Sequence, residues 1–204
     1  MSGTSRVVGG VLPVAGALAL WAATGACAEA TVPPHAATGS PPMASAAAAP
    51  HDGAHDFDWE LGEWTTELRR LEKPLTGSTS WVEYHGTSTV RPILGGRANL
   101  LELVVESAAG RIEAASLRLY DPAARQWSLH FFNIADGQLT VPMVGEFADG
   151  RGVFFAQDTF RGRAILVRFV ASRVDDRTWR FEQSFSADGG AHWEPNWIAT
   201  DRRR

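Results

Sequence analysis

At 204 residues the chain can form one domain or two small ones, and a formal net charge of −4 excludes a strong electrostatic pull toward nucleic acid or an anionic membrane. Lys73 is the only lysine; the arginines are scattered among acids, as on a solvated surface rather than a basic site. The one cysteine, Cys27, excludes an intrachain disulfide, so an apolar core must hold the fold, and seven tryptophans from Trp59 to Trp197 supply it.

Arg6 precedes an uncharged stretch, Val7 to Cys27. Its most apolar part, Val11 to Trp21, is too short and too broken by Gly and Pro to anchor in a bilayer. With the small residues Ala26-Cys27-Ala28 it predicts a signal peptide over residues 1–28, cleaved after Ala28 or Ala30, and hence an exported protein. A second reading of Thr24-Gly25-Ala26-Cys27 stays open: a lipoprotein box with threonine where leucine is usual, giving a lipid anchor at Cys27. Residues 29–55 are rich in Ala, Pro and Ser and too poor in apolar side chains to offset the entropy of ordering, which predicts a disordered tether. His35, His51 and His55 match no metal-site spacing and read as solvated.

From residue 56 to 204 short alternating or β-branched runs predict ten strands: 63–71, 80–90, 99–106, 111–120, 125–134, 138–148, 152–161, 163–173, 177–186 and 192–202. Only Asp56–Leu61 suits a helical turn. Hairpin signals punctuate the runs, among them Ala109-Gly110, Asp121-Pro122, Asp136-Gly137, Asp149-Gly150, Arg161-Gly162, Asp175-Asp176 and Asp188-Gly189-Gly190. Short loops make successive strands antiparallel neighbours, and closure removes the two edges. The expected fold is all-β: a single antiparallel up-and-down β-barrel of about ten strands.

Alternation assigns the faces. Trp64, Thr66 and Leu68 share one face, as do Trp127, Leu129, Phe131 and Asn133. So do Val153, Phe155, Gln157 and Thr159; Ile165, Val167 and Phe169; and Trp179, Phe181, Gln183 and Phe185. A small barrel turns its apolar faces inward, so polar residues on those faces meet each other, water or a ligand. The predicted ligand site is Trp127, Phe131, Phe155 and Phe181, with Asn133, Gln157 and Gln183 orienting a mostly apolar small molecule. Neutral amides both donate and accept, which suits a carbonyl or hydroxyl. The alternation assigns no arginine to the interior.

Gly62-Glu63-Trp64 opens the first strand, and Arg203 shares parity with Trp197 on the last. This resembles lipocalin-type barrels, in which a Gly-x-Trp on the first strand packs at the closed end against a cation near the last; the resemblance implies a cation–π contact between Trp64 and Arg203. Ser186-Ala-Asp188-Gly-Gly190-Ala-His192-Trp193 matches the S-x-D-x-G-x-x-W hairpin called an Asp box, which marks a folded turn and carries no chemistry. The phrases FDWELGEW, RPILGGRANLLE, YDPAARQW and FSADGGAHWEPNWIATDRR resemble those of a widespread bacterial family of uncharacterised secreted proteins with a lipocalin-like (calycin-like) barrel. The resemblance covers nearly all of residues 56–204 and implies the barrel and export, but no reaction, ligand or cofactor. Family members commonly have threonine where His192 stands here.

Other function classes have thinner support. Glu83 and His85 share a strand face with Trp81, the spacing of an acid–base pair, so an enzyme built on Glu83 and His85 is one alternative. A non-catalytic interaction module displayed outside the cytoplasm is another. His85, His130 and His192 are single-histidine candidates for a haem. No phosphate loop or nucleophile elbow occurs.

Overall fold

A computed structural model describes residues 52–204. The segments expected to form a signal peptide and a tether, and Cys27 with its lipid-anchor reading, fall within residues 1–51, outside the described residues, except for the last few residues of the expected tether. Ten strands alternate up and down: β1 (Gly62–Leu71), β2 (Trp81–Ile93), β3 (Ala98–Ser107), β4 (Gly110–Asp121), β5 (Gln126–Asn133), β6 (Met143–Ala148), β7 (Arg151–Phe160), β8 (Arg163–Arg173), β9 (Thr178–Ser186) and β10 (Glu194–Arg203). Each pairs antiparallel with the next, and β1 pairs with β10 to close the barrel. The all-β, lipocalin-like expectation holds; Asp58–Glu60 forms a turn of 3-10 helix within Asp56–Leu61, where a helical turn is expected, and a second such turn, Leu94–Gly96, joins β2 to β3.

The hairpins follow their turn chemistry. Asp149 and Gly150 both have positive φ (52° and 73°), as do Arg161 and Gly162 (51° and 78°), the conformation that matches the twist of two antiparallel strands. The strand bounds match the expected ones to within a few residues except at β6, which begins at Met143 rather than residue 138. Pro142 has no N–H to donate, and the preceding loop folds back on β5 instead, with Thr140 donating to the Phe131 carbonyl at 2.8 Å.

Inward residues are set by the registers. Trp64, Thr66 and Leu68 of β1 lie opposite Arg203, Asp201 and Ala199 of β10. Gly145 of β6 lies opposite Phe154 of β7, and Ala156 opposite Val167 of β8. The inner face of β7 is therefore Gly152, Phe154, Ala156, Asp158 and Phe160. This corrects the expected parity, which put Val153, Phe155, Gln157 and Thr159 inside. Phe155 is 49% exposed and Gln157 is exposed on the outer surface. Adjacent phenylalanines gave the two faces of β7 equal apolar weight, so alternation carried no direction there.

One end of the barrel is plugged. Phe57, fully buried, meets Trp127 and Phe147 edge-on at 5.0 and 4.9 Å and stacks on Phe154. Trp59 stacks on Trp179. The Arg203 guanidinium lies 4.3 Å from the Trp64 ring centroid, as expected, and also donates to the carbonyls of Leu61, at 3.0 Å, and Trp59. The plug begins earlier than residue 56: the buried Trp127 indole N–H donates to the Gly53 carbonyl at 2.9 Å, and the Tyr120 hydroxyl to Asp52 at 3.3 Å.

Candidate functional site

Above the plug the lumen holds a cavity of about 400 Å³. Its rim is made by the β1–β2, β5–β6 and β7–β8 loops and the start of β10, which place Pro74, Val141, Arg161 and Asn196 around it. The β1–β2 loop is fastened to β10 by Leu75 N–H donating to Glu194 Oε1 at 2.6 Å. The walls are apolar: Leu101 and Leu103 of β3, Leu129 and Phe131 of β5, Phe169 of β8 and Phe181 of β9. Trp197 meets Phe131 edge-on at 6.2 Å. Leucine and phenylalanine alternate with outward polar residues along these strands, which is why the walls are continuous.

The floor is polar. Glu60, from the 3-10 turn, forms a buried bidentate ion pair with Arg118 of β4, one arm of it at 3.1 Å. Arg118 also lies 4.4 Å from the Phe57 ring centroid. Beside the pair, Thr66 of β1 donates to Ser88 of β2 at 3.1 Å, and Ser88 donates to Asp201 Oδ2 at 3.4 Å. Asp201 is 4% exposed, and its Oδ1 has no hydrogen-bond partner. Burial, chiefly desolvation, pushes the Asp201 carboxyl up to about 7; the Glu60 charge adds to this, while the nearby Thr66 hydroxyl, the Ser88 hydrogen bond and the charge of Arg118 oppose it.

Of the seven residues the sequence proposed for ligand contact, Phe131, Asn133, Phe181 and Gln183 line the cavity. Trp127 faces inward but is buried in the packing against Phe57, below it. Phe155 and Gln157 lie outside the barrel. The inward amides already have protein partners: Gln183 donates to Asn196 at 2.9 Å, and Asn133 accepts from the Ala135 N–H at 2.9 Å, capping the turn after β5. The expectation of no interior arginine is corrected by Arg118, on the inner face of β4 and 3% exposed. Sequence reading missed Glu60, Ser88, Ser116, Arg118 and Asp201. The parity that placed Arg203 opposite Trp64 also places Asp201 inside. On β4, Ala115, Leu117 and Leu119 give the outer face as much apolar weight as the inner one.

Glu83 and His85 sit exposed on the outer face of β2, where Glu83 pairs with Arg69 across the strands at 3.6 Å. His130 lies on the outer face of β5 beside Ser128, 3.1 Å away, and His192 is exposed on the Asp-box hairpin. None of the three histidines lines the cavity. In that hairpin, hydrogen bonds from His192, first its backbone N–H, and from Ser186 hold the Asp188 carboxyl well below the usual range. Ser186 Oγ accepts from the Gly190 N–H at 2.8 Å. These contacts fasten a turn. Among the described residues no three His, Cys, Asp or Glu side chains gather as a metal cluster, and no helix is long and apolar enough to cross a membrane.

The fold and site together define a closed lipocalin-like barrel with a lumen open at one end, apolar in its walls and polar at its floor. No family model matches the chain, and no curated protein matches it significantly. Among solved structures, it is similar to EF1p2_mFAP2b bound to DFHBI at 7% identity and TM-score 0.41, over 74% of this chain and 99% of that one. A de novo designed fluorescence-activating β-barrel matches at 11% identity and TM-score 0.39, over 76% and 99%. The S-type phycobiliprotein lyase CPES from Guillardia theta matches at 10% identity and TM-score 0.49, over 72% and 90%. Likeness at this level carries nothing about ligand or reaction.

Proposed function

We propose that this is an exported barrel, of the secreted type its sequence phrases resemble, that holds a small and mostly apolar molecule in its lumen. The observation that carries the binding half is the cavity: about 400 Å³ of space bounded by leucine and phenylalanine over a few convergent polar groups. A core of this size normally fills with side chains, and leaving apolar walls unfilled forfeits packing that a ligand restores. Export rests on the signal-peptide pattern of residues 1–28. Mass spectrometry on protein purified from its native host tests both halves. The expected result is a co-purified small molecule in native mode and an N-terminus at Glu29 or Thr31, or at a lipidated Cys27. An intact Met1 would overturn export. An empty lumen, together with no binding of the neutral apolar dye Nile red, would overturn the ligand.

One observation favours the interaction module as a second reading. Two exposed apolar pairs stand on the outer surface: Val144 of β6 opposite Phe155 of β7, and Phe132 opposite Leu139, with Phe132 four residues along β5 from Ser128, the partner of Val144. Exposed apolar surface on neighbouring strands marks contact sites. A serine at Phe155 that abolishes a partner complex while leaving the lumen occupied would support this reading.

A further inference from the structure

We propose that the lumen selects a ligand with a protonated amine at its buried end, an aryl- or alkyl-ammonium whose N–H groups bind Asp201 Oδ1. This deepens the lumen-binding reading and rests on it. Asp201 is 4% exposed and lines the cavity, its Oδ2 is engaged by Ser88, and Oδ1 has no partner. A buried acceptor left unpaired is costly, and a donor delivered by the ligand removes that cost.

The charges facing Asp201 point to a cationic donor. Glu60 on the 3-10 turn and Arg118 on β4 neutralise each other in a buried pair, so the Asp201 carboxylate is the charge of the floor that no cation matches. Thr66 on β1, Ser88 on β2 and Trp179 on β9, which lies opposite Asp201, carry no charge. Arg203, two residues along β10, is turned away onto the Trp64 ring and the carbonyls of Trp59 and Leu61. Around the whole cavity five carboxyl groups stand against three guanidinium groups, which draws cations in. The aromatic walls at Phe131, Phe181 and Trp197 present ring faces and edges suited to an aryl body, and ring faces attract ammonium groups in transit.

The test uses the mature chain and three probes that share one body: 4-phenylbutylamine, 4-phenylbutanol and 4-phenylbutyrate, each displacing Nile red. At pH 8.5 Asp201 is ionised and the amine remains protonated, so the amine is expected to displace the dye at least about tenfold more tightly than the alcohol, with the acid weakest. The preference should shrink to near parity in Asp201→Asn. It should shrink likewise in the wild type at pH 5, where the carboxyl holds its proton; that measurement serves if the variant folds poorly. Equal displacement by amine and alcohol at pH 8.5, or an amine preference that survives both changes, would overturn the inference while leaving a lumen binder. Failure of Nile red itself to bind would overturn the lumen reading and the amine with it.

Discussion

Asp201 is a residue whose environment opposes its charge, and that opposition has a stability signature. Its carboxyl titrates near 7 when folded against a reference of 3.8. Between about pH 4 and pH 7 the folded chain holds a proton that the unfolded chain has released, so stability falls as pH rises and the full deficit is present above 7. Asp201→Asn removes the ionisation. Without ligand it is expected to melt above wild type at pH 8, by on the order of a few kcal/mol, and to show no such gain at pH 4. Thermal melts at the two pH values check this, and an equal gap at both would contradict it. The residues around Asp201 show what sequence could reveal at this scale. Trp64 and Arg203 could be paired in advance because Gly-x-Trp on a first strand resembles lipocalin-type barrels and parity with Trp197 puts Arg203 on the inner face of β10. Phe155 and Gln157 were misplaced because Phe154 and Phe155 are equally apolar, and only the register of β7 against β6 and β8 decides between them. Arg118 went unseen because its burial depends on Glu60, which lies 58 residues away in sequence.

At the scale of elements, turn chemistry was the most legible part, since Asp-Gly and Arg-Gly pairs declare positive φ locally. The N-terminal segment was legible only in part. FDWELG reads as a single turn, but nothing local says that Gly53, in a stretch without apolar side chains, supplies a carbonyl to an indole on β5. That hydrogen bond makes residues 52–55 part of the barrel floor. A chain beginning at Asp56 loses the Gly53 acceptor for the buried Trp127 N–H and the Asp52 acceptor for Tyr120. It is expected to be less stable by about 1–3 kcal/mol than one beginning at Asp52. Urea melts of the two chains measure the difference; identical midpoints would show that the Gly53 contact is replaced by water at no cost.

For the whole molecule, closure fixes which side chains can reach a ligand, because in a barrel neighbours in sequence face opposite solvents. Inward glycines help the sheet curve: a Cβ on Gly86 would sit 2.0 Å from the Val104 carbonyl oxygen, and one on Gly145 would sit 1.9 Å from that of Val153. In each case one neighbouring strand, β3 against Gly86 and β7 against Gly145, runs through the space that another residue's Cβ would occupy. On β7 the consequence can be tested with two adjacent positions. Ala156 is half-buried, lines the cavity and lies opposite Val167, so a tryptophan there projects into free volume rather than into packed core. Phe155, the next residue back, points outward beside Trp193, with ring centroids 6.1 Å apart. Ala156→Trp is therefore expected to abolish Nile red binding while the melting temperature stays near wild type, because the new ring fills the space the dye would take. Phe155→Ser is expected to leave dye affinity unchanged. Fluorescence titration of both variants, with a thermal melt of each, measures the pair. If Phe155→Ser weakens the dye and Ala156→Trp does not, the register of β7 is inverted, and the ligand site returns to the face that alternation alone had assigned.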